Sequence, residues 1–151
     1  MRSWHPAQCL KTGAVPQSPG GAGKGGHPGE TVGYGLGWPA PRRLRIAILS
    51  IGYADGVPPG TFQWAGARCC FTTGRRPLIG GPVCMDQLMV DITKIPQTFP
   101  GDIATLLGKD GAEKITTYDM AEAAGTITNE ILSRLGARLE RIQTKTDTHK
   151  Y

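Results

Sequence analysis

The amino-acid sequence predicts a mainly-β, barrel-like domain that carries two short helices and follows a disordered N-terminal segment. Short apolar runs, either β-branched or alternating with polar residues, are separated by turns rich in glycine and proline, which is typical of β domains. Two later stretches place helix-forming residues between a capping residue and a glycine. With 151 residues the chain has the size of one ordinary domain, so we expect a single hydrophobic core.

The N-terminal segment has an unusual composition. The first 28 residues contain no acidic side chain and are crowded with glycine and proline, so they bury too little apolar surface to offset the entropy of ordering. We therefore predict disorder over 1–28, a folded domain over 29–142 and a frayed tail over 143–151. Residues 21–26 match G-x-G-x-x-G, but no predicted strand precedes them and no helix follows, so a dinucleotide site is rejected.

Six short strands are predicted in the folded domain. Segment 45–51 is almost continuously apolar and β-branched, which indicates a buried strand. Segment 87–93 alternates, with Leu88, Val90 and Ile92 on one face, which is typical of a half-buried strand. The remaining strands are predicted at 67–73, 77–84, 102–107 and 137–142, with a tight turn at 109–111.

Two short helices are predicted near the C-terminus. Thr116 and Asp119 have the spacing of a capping box, strong helix formers follow, and Gly125 is a natural residue to end the helix. The second helix is predicted from about residue 128 to 135, ending at Gly136.

The charge and cysteine patterns exclude several classes of protein. The chain has 17 basic and 12 acidic residues, but the basic residues are scattered without aromatic interleaving, so a solvated surface is favoured over nucleic-acid binding. No apolar run approaches the length of a membrane span and no signal peptide is evident. No Cys-x-x-Cys occurs and the histidines lie near the chain ends, which predicts no metal site and reduced thiols in a cytoplasmic protein.

Tyr53 is the first candidate for chemistry, within Ile-Gly-Tyr-Ala-Asp-Gly at 51–56. The residues alone favour an aromatic side chain that caps the core before an Asp-Gly turn. The alternative is a proton donor and acceptor, for which the usual phenol pKa of about 10 must be lowered by positive charge or hydrogen bonds. Such a base is useful opposite a second one, because inverting a stereocentre removes a proton from one side and returns it on the other.

A second candidate is Val-Cys-Met-Asp-Gln at 83–87. Met85 is ordinarily a core side chain, and Asp86 alone would be an ordinary turn acid. Between two strands, however, the backbone N–H groups of such a turn can point at an anion such as a carboxylate. Cys84, Met85 and Asp86 are therefore candidate substrate-binding residues.

In chain order, the motifs at 51–56, at 83–87 and Gly-Thr-Ile-Thr-Asn-Glu at 125–130 resemble the C-terminal domain of alanine racemase. Gly-Glu-Thr-Val-Gly-Tyr-Gly at 29–35 and Gly-Asp-Ile at 101–103 extend the likeness to about residues 29–142. The resemblance implies a pyridoxal-phosphate isomerase with an N-terminal α/β barrel and a C-terminal β domain. It also implies a head-to-tail homodimer that interconverts L- and D-alanine for cell-wall synthesis.

The resemblance assigns roles to individual residues. It implies that Tyr53 is the base for the L-enantiomer and acts in the partner subunit's site. Met85, chiefly through its backbone, would bind the substrate carboxylate. Asn129 falls where many alanine racemases carry a tyrosine that touches the cofactor phosphate. The cofactor withdraws electrons and acidifies the Cα–H bond, so two bases on opposite faces exchange its proton.

Several departures from the family carry their own expectations. The barrel with its cofactor-binding lysine is not in the sequence, so we expect no turnover by this chain alone. Gly81-Pro82-Val83 stands where the family usually has Gly-Arg before the Cys-Met-Asp block. An asparagine at position 129 resembles the serine/alanine racemases of the vancomycin-resistance type. A side chain smaller than tyrosine at this place could admit the hydroxymethyl group of serine. The low-complexity stretch before Gly29, where the family continues as strand, suggests a truncated or frame-disrupted gene product.

Two rival classes stay open beside the racemase hypothesis. One is a non-catalytic dimerisation module left by truncation, which predicts no activity even when a barrel is supplied. The other is a basic surface-binding protein, which predicts salt-dependent binding to nucleic acid.

Overall fold

The computed structural model describes residues 10–17, 27–33, 35, 38–59, 70–71 and 83–141. Within these ranges the chain forms short strands followed by two helices. They are β1 (Leu10–Gln17), β2 (Thr31–Val32), β3 (Trp38–Pro39), β4 (Ile46–Leu49), β5 (Cys70–Phe71), β6 (Leu88–Asp91), β7 (Ile103–Asp110), β8 (Glu113–Ile115), α1 (Thr117–Ala124) and α2 (Thr128–Arg134).

The main sheet is antiparallel, with strand order β5-β7-β1-β4-β6 and β8 beside β7. β1 changes partner halfway: Leu10 to Gly13 pair with β7, and Ala14 to Gln17 pair with β4. β1 thus joins the β7 ladder to the β4 ladder in one sheet.

β1 corrects the prediction of disorder for residues 10–17 of the segment 1–28. Eight residues of that segment form a strand, as the family resemblance implies and the composition does not. The composition of a segment indicates only how much apolar surface its own residues can bury. The hydrogen bonds that order β1 are made with β4 and β7, which lie in distant parts of the chain. Pro16 lacks an N–H and lies in the second half of β1. That half pairs with β4 but not with β7, so Pro16 has a strand partner on one side among the described pairs. Residues 1–9 and 18–26 lie outside the described residues.

The main core lies between the sheet and the two helices. Leu88, Val90 and Ile92 are all fully buried, which confirms the alternating strand predicted at 87–93. The strand predicted at 45–51 is confirmed as β4, whose Leu49 is fully buried. Burying such a side chain contributes roughly 1.5–3 kcal/mol before entropy is subtracted. A smaller cluster, not predicted, forms around the β2–β3 hairpin from Val32, Ala40, Leu44 and Ile46.

The predicted strand at 102–107 is confirmed as β7, but β7 continues to Asp110. The turn predicted at 109–111 therefore lies one to two residues later, with Gly111 at φ 59°, and β8 returns along β7. β5 confirms two residues of the strand predicted at 67–73; the others, and 77–82, lie outside the described residues. Cys84, the end of the strand predicted at 77–84, lies in a loop.

The strand predicted at 137–142 is wrong over 137–141, where the chain forms a turn. The Leu139 N–H donates to the Gly136 carbonyl, and the Gly136 N–H donates to the Asp55 carbonyl. The backbone groups are thus used within the turn and against another loop rather than in a ladder. Ile142 and the predicted tail over 143–151 lie outside the described residues.

Both helices are confirmed. Thr116 caps α1 by accepting from the Asp119 N–H, while the Asp119 carboxylate accepts from the Thr116 N–H at 2.7 Å. Gly125 ends α1 at φ 63°. α2 ends at Arg134 and buries Ile131 in the core. Neither helix of the described residues has the length and hydrophobicity that crossing a membrane requires.

Replacing Thr116 by alanine should lower the free energy of unfolding by about 1 kcal/mol, because the Asp119 N–H loses its acceptor. Urea denaturation of the 151-residue chain measures the change. The matched control is Thr117→Ala at the next position, whose hydroxyl makes no hydrogen bond among the described residues. Equal effects of the two substitutions would contradict the capping role.

Candidate active site

Tyr53 lies in a short 3₁₀ turn, Tyr53–Asp55, that follows β4. A buried hydrogen bond stabilises the turn: the Asp55 carboxylate accepts from the Gly52 N–H at 2.9 Å. Asp55 is buried, with 6% of its surface exposed, whereas Tyr53 is 44% exposed. The side chain of Tyr53 is therefore presented at the surface on a closed turn.

The structure brings the two sequence-predicted motifs together through their backbones. The Tyr53 N–H donates to the Cys84 carbonyl and the Ala54 N–H donates to the Met85 carbonyl, both at 3.0 Å. The second turn is closed by a 2.8 Å hydrogen bond from the Cys84 N–H to the Gln87 carbonyl. We refer to the segments 51–57 and 83–87 as the tyrosine turn and the methionine turn.

Gly52 permits this close approach of the two turns. A Cβ at Gly52 would lie 2.2 Å from the Cys84 oxygen and 2.3 Å from the Met85 oxygen, distances that no side chain tolerates. Its backbone is extended, at φ −149°, so the requirement for glycine comes from the contact and not from the conformation.

The methionine turn has exposed side chains and free backbone donors. Met85 is 52% exposed and hence not a core side chain. Within the described part of the chain, the N–H groups of Met85 and Asp86 have no hydrogen-bond acceptor, whereas that of Cys84 is engaged by Gln87. Two adjacent free donors beside an exposed tyrosine are suited to an anionic group such as a carboxylate.

A third segment, which follows α2, supports both turns. The Gly136 N–H donates to the Asp55 carbonyl at 3.2 Å. Arg138 lies 3.4 Å from the Asp55 carboxylate through Nε and 2.6 Å from the Asp86 carboxylate through an Nη. The hydrogen bond to Asp86, then the charge of Asp55, raises the pKa of Arg138 further above its usual value. No local sequence pattern identifies Arg138, because its two aspartate partners lie in turns that are distant along the chain.

Asn129 lies apart from these contacts. It is exposed in the first turn of α2 and makes no hydrogen bond to either turn among the described residues. It lies five positions before Arg134, which is roughly 7.5 Å along the helix axis at 1.5 Å per residue. A Cβ on Gly56 would meet the Arg134 carbonyl at 2.3 Å, so the far end of α2 contacts the tyrosine turn.

The two turns and the supporting segment can be compared with what a pyridoxal-phosphate cofactor requires. They offer a phenol, two free backbone donors and a paired arginine, but no lysine occurs within 51–57, 83–87 or 134–138. A pyridoxal-phosphate enzyme needs a lysine amine to hold the cofactor. The chemistry of these residues therefore fits contact with an anionic substrate group, and none of them fits the role of the cofactor-binding lysine.

Residues 23–143 match the model of the protein family "Alanine racemase, C-terminal domain". The match covers more than half of the chain, so the chain belongs to this family. An amino-acid racemase from Enterococcus faecalis is 50% identical over 115 residues, which are 76% of this chain and 16% of that protein. The match confirms both the family and the fold class that the sequence predicts.

Solved structures show the same domain. The biosynthetic alanine racemase of Pseudomonas aeruginosa superimposes with a TM-score of 0.74 at 34% identity, covering 89% of this chain and 34% of that one. Histidine racemase from Leuconostoc mesenteroides subsp. sake gives 0.72 at 30% identity, covering 89% of this chain and 33% of that one. The chain thus spans about one third or less of the length of these relatives.

Replacing Gly52 by alanine should separate the two turns and lower the free energy of unfolding by roughly 1–3 kcal/mol, because the added methyl group overlaps two backbone oxygens. The ¹H–¹⁵N resonances of Tyr53 and Ala54 report the lost hydrogen bonds. Gly111→Ala is the control for the resonances: a Cβ there meets nothing within 4 Å, so its cost comes from the positive φ of 59° alone and the Tyr53 and Ala54 resonances should stay unchanged. Unchanged Tyr53 and Ala54 resonances in Gly52→Ala would refute the contact.

Proposed function

We propose that this chain is the C-terminal part of a pyridoxal-phosphate-dependent racemase that interconverts L- and D-alanine. The observation that carries the proposal is the pair of backbone hydrogen bonds that fixes the exposed Tyr53 beside Met85. Family membership supplies the reaction class, and this geometry supplies a proton carrier held next to donors for a carboxylate.

Tyr53 carries the proton on the L side of the substrate in this proposal. Racemisation removes a proton from one face of Cα and returns one to the other, so each face needs its own acid–base group. The bound cofactor supplies the electron withdrawal that acidifies the Cα–H bond. The phenol oxygen of Tyr53 accepts that proton from L-alanine and donates it back when D-alanine is the substrate.

The methionine turn orients the substrate. The free N–H groups of Met85 and Asp86 are suited to bind the substrate carboxylate, which fixes the direction in which Cα faces Tyr53. Cys84 contributes through its carbonyl, which accepts from Tyr53, rather than through its N–H, which Gln87 engages. Asn129 is proposed to lie beside the cofactor phosphate, as its place in the 125–130 motif implies.

The active site is proposed to form between two subunits of a homodimer, with Tyr53 reaching the partner subunit's cofactor. The exposed side chains of Tyr53 and Met85 support this arrangement, because side chains that act on a substrate held by another domain must face outward. The cofactor lysine belongs to an N-terminal barrel in this scheme. Action in the cytoplasm, where D-alanine enters cell-wall synthesis, is part of the same proposal.

A second candidate is a racemase with a broader substrate range, serine in particular. Two relatives favour it by name: the Enterococcus protein is an amino-acid racemase, and one structural neighbour is a histidine racemase. Asn129, a smaller residue than the tyrosine common in alanine racemases, leaves more space for a substrate hydroxymethyl group. A non-catalytic dimerisation module is the outcome if no barrel restores activity.

Replacing Tyr53 by phenylalanine should lower the rate of L-alanine racemisation by roughly 10²–10⁴-fold, since the phenol oxygen that moves the proton is removed. The assay mixes the 151-residue chain with a separately expressed barrel half of an alanine racemase. Tyr118→Phe is the control, because Tyr118 is an exposed tyrosine on α1, 67% accessible, outside both turns. If Tyr53→Phe matches wild type, Tyr53 is not the base.

Replacing Asn129 by tyrosine should lower the ratio of serine to alanine kcat/KM by roughly tenfold or more, because the larger ring fills the space for the hydroxymethyl group. Both substrates are compared in the same complemented enzyme. Ser133→Tyr places an identical ring one turn further along α2 and should leave the ratio unchanged. An unchanged ratio in Asn129→Tyr would remove the specificity hypothesis.

A further inference from the structure

Arg138 is the side chain that joins the tyrosine turn to the methionine turn. Its Nε lies 3.4 Å from one carboxylate oxygen of Asp55, and an Nη lies 2.6 Å from Asp86. The other oxygen of Asp55 accepts from the Gly52 N–H. A continuous polar chain therefore runs from Gly52, next to Tyr53, through Asp55 and Arg138 to Asp86, next to Met85.

We infer that Arg138 is a positioning residue that fixes the distance between the Tyr53 phenol and the carboxylate donors of the methionine turn. The inference rests on the function proposed for Tyr53 and Met85, and it adds a residue that the recognised motifs do not contain. Arg138 itself acts through Asp55 and Asp86, since it contacts both turns by ion pairs.

The shape of arginine suits this task. A guanidinium group presents several N–H donors in a rigid plane and can bind two carboxylates at once, whereas a lysine ammonium is a compact point charge on a flexible stem. The two carboxylates come from different turns, and one of them is 8% exposed while the other is 54% exposed. Arg138 thus ties a buried anchor, Asp55, to a surface loop.

Positioning explains this arrangement better than stability does. The side chains of Arg138 and Asp86 are both more than half exposed, and ion pairs at such surfaces stabilise proteins little. Geometry at a reacting centre is more sensitive, because a misplacement of about 1 Å can cost roughly 10²-fold in rate. An ion pair that adds little to the free energy of unfolding can therefore still have a large effect on turnover.

Amide hydrogen exchange on the full 151-residue chain tests the coupling without requiring activity. The reporters are the Tyr53 and Ala54 N–H groups, which donate to the methionine turn. Arg138→Met and Asp86→Asn should accelerate exchange at both amides by roughly tenfold or more, while amides of β4 and β6 keep their rates. Arg138→Lys should accelerate it as well, since one ammonium does not hold both carboxylates.

Arg42→Met is the matched control for that experiment. Arg42 also forms an ion pair with an aspartate, Asp91, and is 47% exposed, but it lies away from both turns. It should leave exchange at Tyr53 and Ala54 unchanged. Unaltered exchange in Arg138→Met would overturn the inference, and so would equal acceleration across β4 and β6, which would mean general destabilisation.

Turnover provides the second arm, in the chain complemented with a barrel half. Arg138→Met should lower kcat for L-alanine by roughly 10–100-fold and raise the primary isotope effect with C2-deuterated L-alanine, because proton transfer to Tyr53 becomes slower. The isotope effect with D-alanine should change less. A loss of folded molecules alone would leave both isotope effects unchanged and would contradict positioning.

The two arms separate this inference from the proposed function. If the wild-type chain gives no turnover with any barrel half, the racemase proposal fails. The exchange measurement then still decides whether Arg138 couples the two turns.

Discussion

The arrangement of this domain depends on two backbone hydrogen bonds, from the Tyr53 and Ala54 N–H groups to the Cys84 and Met85 carbonyls. They join two turns that are about 30 residues apart in the chain. Because the bonds are made by backbone atoms, they hold the two turns together whatever rotamers the Tyr53 and Met85 side chains adopt. The side chains of Tyr53 and Met85 are left outside the contact, where they can face a ligand.

The surroundings of this contact are organised to keep it. Gly52 has no side chain to overlap the Cys84 and Met85 carbonyls, and the buried Asp55 carboxylate accepts a hydrogen bond from the Gly52 N–H within the tyrosine turn. The end of α2 contacts Gly56, and the segment after it brings Gly136 and Arg138 to Asp55. Core packing of Ile131 therefore sets the position of a surface site through the helix to which it belongs.

Much of the domain could be predicted from local sequence. β4, β6 and both helices follow from apolar periodicity and capping residues, which act within a few positions of one another. β1 and the turn over 137–141 could not be predicted this way, because their hydrogen-bond partners lie in distant segments. The same holds for the candidate site. Sequence motifs identify Tyr53 and Met85, whereas Arg138 is recognised only from the structure, which brings Asp55 and Asp86 together around it.

The partner change within β1 also bears on where this domain can be cut. A boundary drawn at residue 29, as the composition suggests, would remove the strand that joins the β4 ladder to the β7 ladder. Ile46–Leu49 of β4 and the paired part of β7 would then each expose a row of unused N–H and C=O groups. Open edges of this kind recruit strands from other chains, so a shortened piece would be prone to self-association even though its hydrophobic core and both turns were retained.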